Sequence, residues 1–121
     1  MRVEHGNSVE NARTIATEVS ALYKTQWIGQ PPVNVPCSPM TPKPGFAISF
    51  DQSRPIALNN AYRDVARKHN IPFLDSLTPL LTNKDYMEGL KRGDKMHCDE
   101  NGYEITAQMI NDWPIWQNWF K

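Results

Sequence analysis

The chain has no surplus charge: 13 basic and 13 acidic residues cancel, which removes the electrostatic footprint of a protein held mainly by nucleic-acid phosphates or an anionic membrane. Nucleic acid is therefore not an expected partner. No apolar run approaches the ~20 residues needed to cross a bilayer, so no membrane span is expected. The start, Met1-Arg2-Val3-Glu4-His5-Gly6, has no apolar signal-peptide core, and the default location is cytoplasmic. Cysteine is scarce. Cys37 and Cys98 lie far apart and form no CxxC, which suggests neither a zinc ribbon nor a thioredoxin-type redox pair. They read as two free buried thiols in a reducing cytosol, with a single disulfide as the alternative. Internal repeats, a G-x-S-x-G elbow, a phosphate loop and a dinucleotide fingerprint are all missing, and no cofactor is expected.

What is there fits one compact domain, residues 1–121, with 40% of its side chains apolar and a length inside the usual domain range. Ala12, Ile15, Ala16, Val19, Leu22 and Tyr23 recur at three- and four-residue spacing and predict a helix from about Ser8 to Gln26. Asn7 with Glu10 suits a capping box at its start, and Trp27-Ile28-Gly29 closes it. Six of the ten prolines fall between Gln30 and Gly45, which excludes helix there. Only Val33 to Val35 is a plausible strand in that stretch, with Pro36 to Gly45 a loop leaving its end. Phe46 to Phe50 is too short to classify.

Ser53 can cap a second helix whose first turn holds Pro55, where a missing amide costs nothing. Leu58, Ala61, Tyr62, Val65 and Ala66 supply its apolar face, and Lys68-His69-Asn70 its basic end. Ile71 to Asp75 reads as a buried strand. Helix, strand, helix, strand in this order points to parallel α/β pairing, because parallel strands need crossovers. Short helical turns follow around Leu77, Leu80 and Leu81 and from Lys84 to Leu90. A glycine-led loop from Gly93 to Cys98 then opens onto a helix that starts near Asp99 or Glu100 and is stopped by Pro114.

Of the three histidines, His5 lies in a polar terminus and His69 at a helix end, where the dipole alone favours it. His97 is different: it follows Asp94 by three residues, a spacing that lets a carboxylate bond one imidazole nitrogen while the other faces outward, as a general base requires. The same spacing also serves a plain turn, in which Asp94 caps and His97 packs or faces solvent. Asp94, His97, Cys98 and Asp99 cluster locally, but no distant pair of ligands completes a four-coordinate metal site.

The run from Ala57 to Asp75 (ALNNAYRDVARKHNIPFLD), then Asp85-Tyr86, Gly93-Asp94-Lys95-Met96-His97 and Asn101-Gly102-Tyr103, resembles the C-terminal part of SGNH/GDSL-type hydrolases in the order and spacing of its elements, from about Ser8 to Ile110. That resemblance implies an α/β fold, a partial three-layer, flavodoxin-like parallel sheet with flanking helices, truncated at its N-terminal side. It implies that Asp94 is the orienting acid and His97 the general base of a Ser-His-Asp triad acting on an ester substrate. Gly102 and Tyr103 would be structural, Val33 to Val35 a central strand, and Cys37 to Pro44 a loop near the mouth of the site. Asp75 matches a recurrent acidic position and is expected to cap the next element.

The front of the family pattern is missing. The chain has no G-D-S for the nucleophile and no G-x-N for the oxyanion; Gly6-Asn7 is only superficially similar. The expectation is therefore a C-terminal portion of an SGNH-type esterase that keeps the acid-base half of the triad and is inactive alone. Its sheet, short of neighbouring strands, would have edges open to self-association. The alternatives are a non-catalytic interaction module using that edge and the aromatic tail (Trp113, Trp116, Trp119, Phe120), and a metal-dependent hydrolase centred on Asp94 and His97.

Overall fold

The computed structural model describes residues 4–33, 39–49, 51–94 and 96–121. Its order is α1 (His5–Leu22), β1 (Trp27–Ile28), β2 (Met40–Lys43), β3 (Phe46–Ile48), α2 (Ser53–Lys68), β4 (Phe73–Leu74), α3 (Leu77–Thr82), α4 (Lys84–Arg92), α5 (Glu100–Asn111) and α6 (Pro114–Trp119). The fold is mixed α/β and mostly helical.

Helix α1 begins earlier than the Asn7 box implied: Glu4 is its N-cap, with no side-chain cap bond, and the Ser8 amide donates to the Glu4 carbonyl. It also ends earlier, at Leu22, because Trp27 and Ile28 do not close a helix. They pair in parallel with Phe73 and Leu74, Trp27 N–H donating to the Pro72 carbonyl at 2.9 Å and Gly29 N–H to the Leu74 carbonyl at 2.8 Å. A local helical period has yielded to tertiary strand pairing.

The expected parallel pair is thus present, but its first strand is Trp27–Ile28. Val33 belongs to no strand, and Asn34 and Val35 lie outside the described residues. A three-layer flavodoxin-like sheet is not formed among the described residues: the parallel sheet has two strands of two residues each. Proline sets that limit, since Pro31-Pro32 follows β1 and Pro72 precedes β4, and a proline cannot continue a ladder.

The proline-rich segment holds a second correction. From Met40 it is not a loop: β2 pairs antiparallel with β3. Pro44-Gly45 makes the turn, with Gly45 at φ 76°, the position of a type II turn that glycine occupies without steric cost. Cys37 lies outside the described residues, and Cys98 is a free thiol.

Helix α2 starts at Ser53, whose amide and hydroxyl both donate to the Asp51 carboxylate. It ends at Lys68 with His69 as its C-cap, and just beyond, Asn70 takes the left-handed conformation at φ 53° while Ile71 N–H reaches back to the Ala66 carbonyl, a stop that asparagine tolerates. Two apolar clusters follow. Ala16, Val65, Ala66 and Ile71 join α1 to α2, with Val9, Trp27 and Phe73 against them. Leu80, Tyr86 and Leu90 join α3 to α4, with Met87, Cys98, Ile105 and Met109 bringing α5 onto the same cluster. Pro114 stops α5 as expected, but it also opens α6 as its first residue, a position for which its fixed φ is suited.

Candidate active site: an aspartate–histidine pair on a clamped loop

The loop between α4 and α5 carries the pair. Gly93 follows α4, and the next residue, Asp94, folds its carboxylate back over the turn: Oδ1 accepts from the Met96 amide at 2.9 Å and the His97 amide at 2.6 Å. Its other oxygen, Oδ2, lies 2.6 Å from His97 Nδ1. One carboxylate thus makes the turn and holds the ring, which joins both readings of the Asp-x-x-His spacing in one geometry. The His97 ring bond first, then the His97 and Met96 amides, hold the Asp94 carboxyl down at about 2. At neutral pH Asp94 is therefore a pure acceptor, so the proton between the pair sits on Nδ1, and in the neutral form of the ring this tautomer carries its lone pair on Nε2, at the opposite side. Both side chains are open to solvent, 57% for Asp94 and 67% for His97. No serine, threonine or cysteine among the described residues bonds to the His97 ring.

Behind the pair the loop is seated on the α3–α5 cluster, with Cys98 half-buried instead of the fully buried thiol expected. Cys98 packs into the α3–α5 cluster, and burial pushes its thiol up; burial also pushes the Tyr86 phenol well above its usual range. Asp99 caps α5, Oδ1 accepting from the Gly102 amide at 3.0 Å. Its Oδ2 takes two bonds from Arg92, Nε at 2.9 Å and Nη2 at 2.7 Å. These contacts, the Arg92 bond foremost, hold the Asp99 carboxyl below its ordinary value. Gly102 is buried, and a β-carbon there would run into the Cβ of Cys98. Tyr103, beside it, is 57% exposed.

Asp75 follows β4 and stands one residue before Ser76, the N-cap of α3, and its carboxylate accepts from the Thr78 amide at 3.1 Å and hydroxyl at 2.7 Å in the first turn of that helix. It also takes Asn59 Nδ2 at 2.9 Å and an ion pair from Arg63. Burial acts to raise this carboxyl, but Thr78, Asn59 and Arg63 together outweigh it and hold it low. This group locks strand to helix and does not join the pair at Asp94.

The local acid cluster at the loop does not converge on a metal: among the described residues no three His, Cys, Asp or Glu side chains gather in ligand geometry, and Asp99 is committed to Arg92 and Gly102. No helix among the described residues is long and apolar enough to cross a membrane. An apolar groove of about 560 Å³ runs between α1, β1 and α2, lined by Ile15, Val19, Trp27, Tyr62 and Ile71, away from the pair. Sequence reasoning missed Arg92 and Gly89. A signal for the Asp99 cap was present in the spacing Asp99-x-x-Gly102, but nothing in the linear chain identifies Arg92 as its partner.

Compared with models of known protein families and with curated proteins, the chain matches none.

Proposed function

We propose that this chain is the acid-base half of an SGNH-type serine esterase, supplying Asp94 as orienting acid and His97 as general base. The observation that carries the reading is the 2.6 Å bond from Asp94 to His97 Nδ1 on an exposed loop. It leaves Nε2 free to take a proton, a geometry consistent with the resemblance of the surrounding residues to that family.

In this reaction a serine hydroxyl, from a G-D-S segment not present in the 121 residues, attacks an ester carbonyl as Nε2 of His97 takes its proton. The imidazolium then protonates the leaving alcohol, and the acyl-enzyme is released by water activated at the same nitrogen. Asp94 holds the tautomer and stabilises the imidazolium. Removing a single oxyanion donor costs ~100–1,000-fold in turnover, so a chain lacking both nucleophile and oxyanion hole leaves ester hydrolysis at background.

The test is a short-chain ester assay on the chain alone and on the chain joined to an N-terminal SGNH-type segment that carries G-D-S and G-x-N. The joined protein hydrolyses ester, His97→Ala abolishes the activity, and the chain alone stays at background. Turnover by the 121 residues that disappears in His97→Ala would show that the nucleophile lies within them. Failure of the joined protein, with G-D-S present and folding intact, removes the esterase reading.

A second reading, an interaction module, draws on β1, which is paired on one side only among the described residues, with Ile15, Leu22 and Ile28 exposed nearby in sequence and Phe120 exposed in the tail. A monomer with dispersed amide signals at high concentration counts against it.

A further inference from the structure

Among the described residues, the bonds that hold the pair all lie within its own turn. Asp94 and His97 are both more than half exposed, so burial does not fix them. Besides the packing of Cys98, a chord across its two ends fastens the turn to the body of the protein. Arg92, the last residue of α4, donates twice to Asp99, the N-cap of α5, and the loop bearing Asp94 and His97 lies between them. The Asp99 carboxylate is seated on three sides. It bonds Arg92 through Oδ2, bonds the Gly102 amide through Oδ1, and presses so close to Gly89 that no β-carbon fits there. Its side chain is only 28% exposed, against 58% for Arg92. Beside it Cys98, the neighbour of His97, is wedged against Gly102.

We propose that Arg92 and Asp99 are positioning residues, a clamp that closes the loop and so keeps His97 in its Nδ1-bonded orientation toward Asp94. The catalytic consequence rests on the reading of His97 as a base; the clamp itself does not. Without the chord, the loop ends are held by the packing of Cys98 and of α4 on α5 alone, and the turn opens more often, releasing the ring from Asp94. A released imidazole is no longer held in one tautomer, because the bond to the carboxylate is what selects the proton on Nδ1. The clamp and the helix cap are separable: Arg92→Gln removes the chord and leaves the cap, while Asp99→Asn keeps an oxygen for the Gly102 amide but loses the charge that draws Arg92.

The experiment reads the ring-nitrogen chemical shifts of neutral His97 in the full chain, which report the ratio of Nδ1–H to Nε2–H tautomers. In the unaltered chain Nδ1–H dominates. In Arg92→Gln and in Asp99→Asn the ratio falls about two- to five-fold, the scale of shift that an exposed charged pair sustains, while the Gly102 amide stays protected from exchange. Arg92→Lys, which keeps the charge, recovers most of the ratio. A purely structural contribution would lower stability without moving the tautomer ratio. A ratio unmoved in both clamp variants, a lysine variant as far shifted as the glutamine one, or an unaltered chain already in a mixed tautomer state overturns the proposal. Because the readout needs no turnover, a shifted ratio in a protein that hydrolyses no ester separates failure of the esterase reading from failure of the clamp.

Discussion

Substituting alanine at two helical glycines should give opposite signs of stability change, and the difference measures how tightly the site loop is seated. In α5, Gly102 is buried, and an added β-carbon would overlap the Cβ of Cys98 and stand 2.9 Å from its Sγ and 3.5 Å from Tyr86 Cδ2. In α1, an added β-carbon at Gly6 meets nothing within 4 Å. Neither glycine has a positive φ, so alanine is sterically allowed by the backbone at both. Helix preference favours alanine over glycine by about 0.8–1.0 kcal/mol in a helix interior, partly through the unfolded chain.

At Gly6, near the end of its helix, we expect a gain of a few tenths of a kcal/mol, smaller than the interior figure. At Gly102 the same gain is set against overpacking of about 1–3 kcal/mol. The upper part of that range applies, because the obstacle is a β-carbon fixed to the backbone and Tyr86 behind it is 2% exposed. The net expectation is a loss of about 1–2 kcal/mol. Urea titration followed by circular dichroism reads both variants, with the midpoint lowered for Gly102→Ala and the slope unchanged. A Gly102→Ala variant as stable as Gly6→Ala would refute the seating of Cys98 under His97, since the two would then differ in nothing but position.

Further measurements follow from the same geometry. The Asp94 carboxyl, followed by its carbon shift, should titrate at about 2 instead of the ~3.9 of a free aspartate. Because the folded value is the depressed one, what its bonds contribute is complete above about pH 4 and lost as the pH falls toward 2; a midpoint near that of free aspartate would mean the turn is open in solution. Leu80→Ala and Leu90→Ala remove side chains with 0% exposure and should each cost about 2–5 kcal/mol in urea unfolding; a loss below about 1 kcal/mol at both would contradict the α3–α4 core. Asp75→Ala removes the carboxylate that takes the Thr78 amide in the first turn of α3, and a loss of about 0.5–2 kcal/mol, the scale of a helix cap, is expected, with faster amide exchange at Thr78 as its local sign; an unchanged rate there argues against that role.

The helices were legible because their information is local. The apolar period around Ala12 and Ala16, the run from Leu58 to Ala66, and Pro114 as a stop each act within a turn or two of chain. Helix ends were less so: Glu4 and Leu22 bound α1, where Asn7 and Trp27 had looked the natural limits. Trp27 shows why. Nothing in its own neighbourhood separates a helix terminus from a two-residue strand, and the deciding contacts are the carbonyls of Pro72 and Leu74, more than forty residues on. The antiparallel pairing of Met40–Lys43 with Phe46–Ile48 was hidden by its prolines, which argue against a central strand but not against a hairpin of two edges.

At the site, the chain by itself determined that the pair can form. Asp94 comes within reach of both the backbone amides and the ring of His97 because a three-residue separation lets a carboxylate fold back over such a turn, so the possibility of the contact is local even though the spacing alone does not hold the ring there. Tertiary structure alone decided what the turn is fastened to. Arg92 meets Asp99 only because α4 and α5 pack around Leu90 and Tyr86, and Cys98 abuts Gly102 only because both face that cluster. Those contacts depend on the relative placement of two helices, a quantity that burial energy sets and that no local spacing encodes.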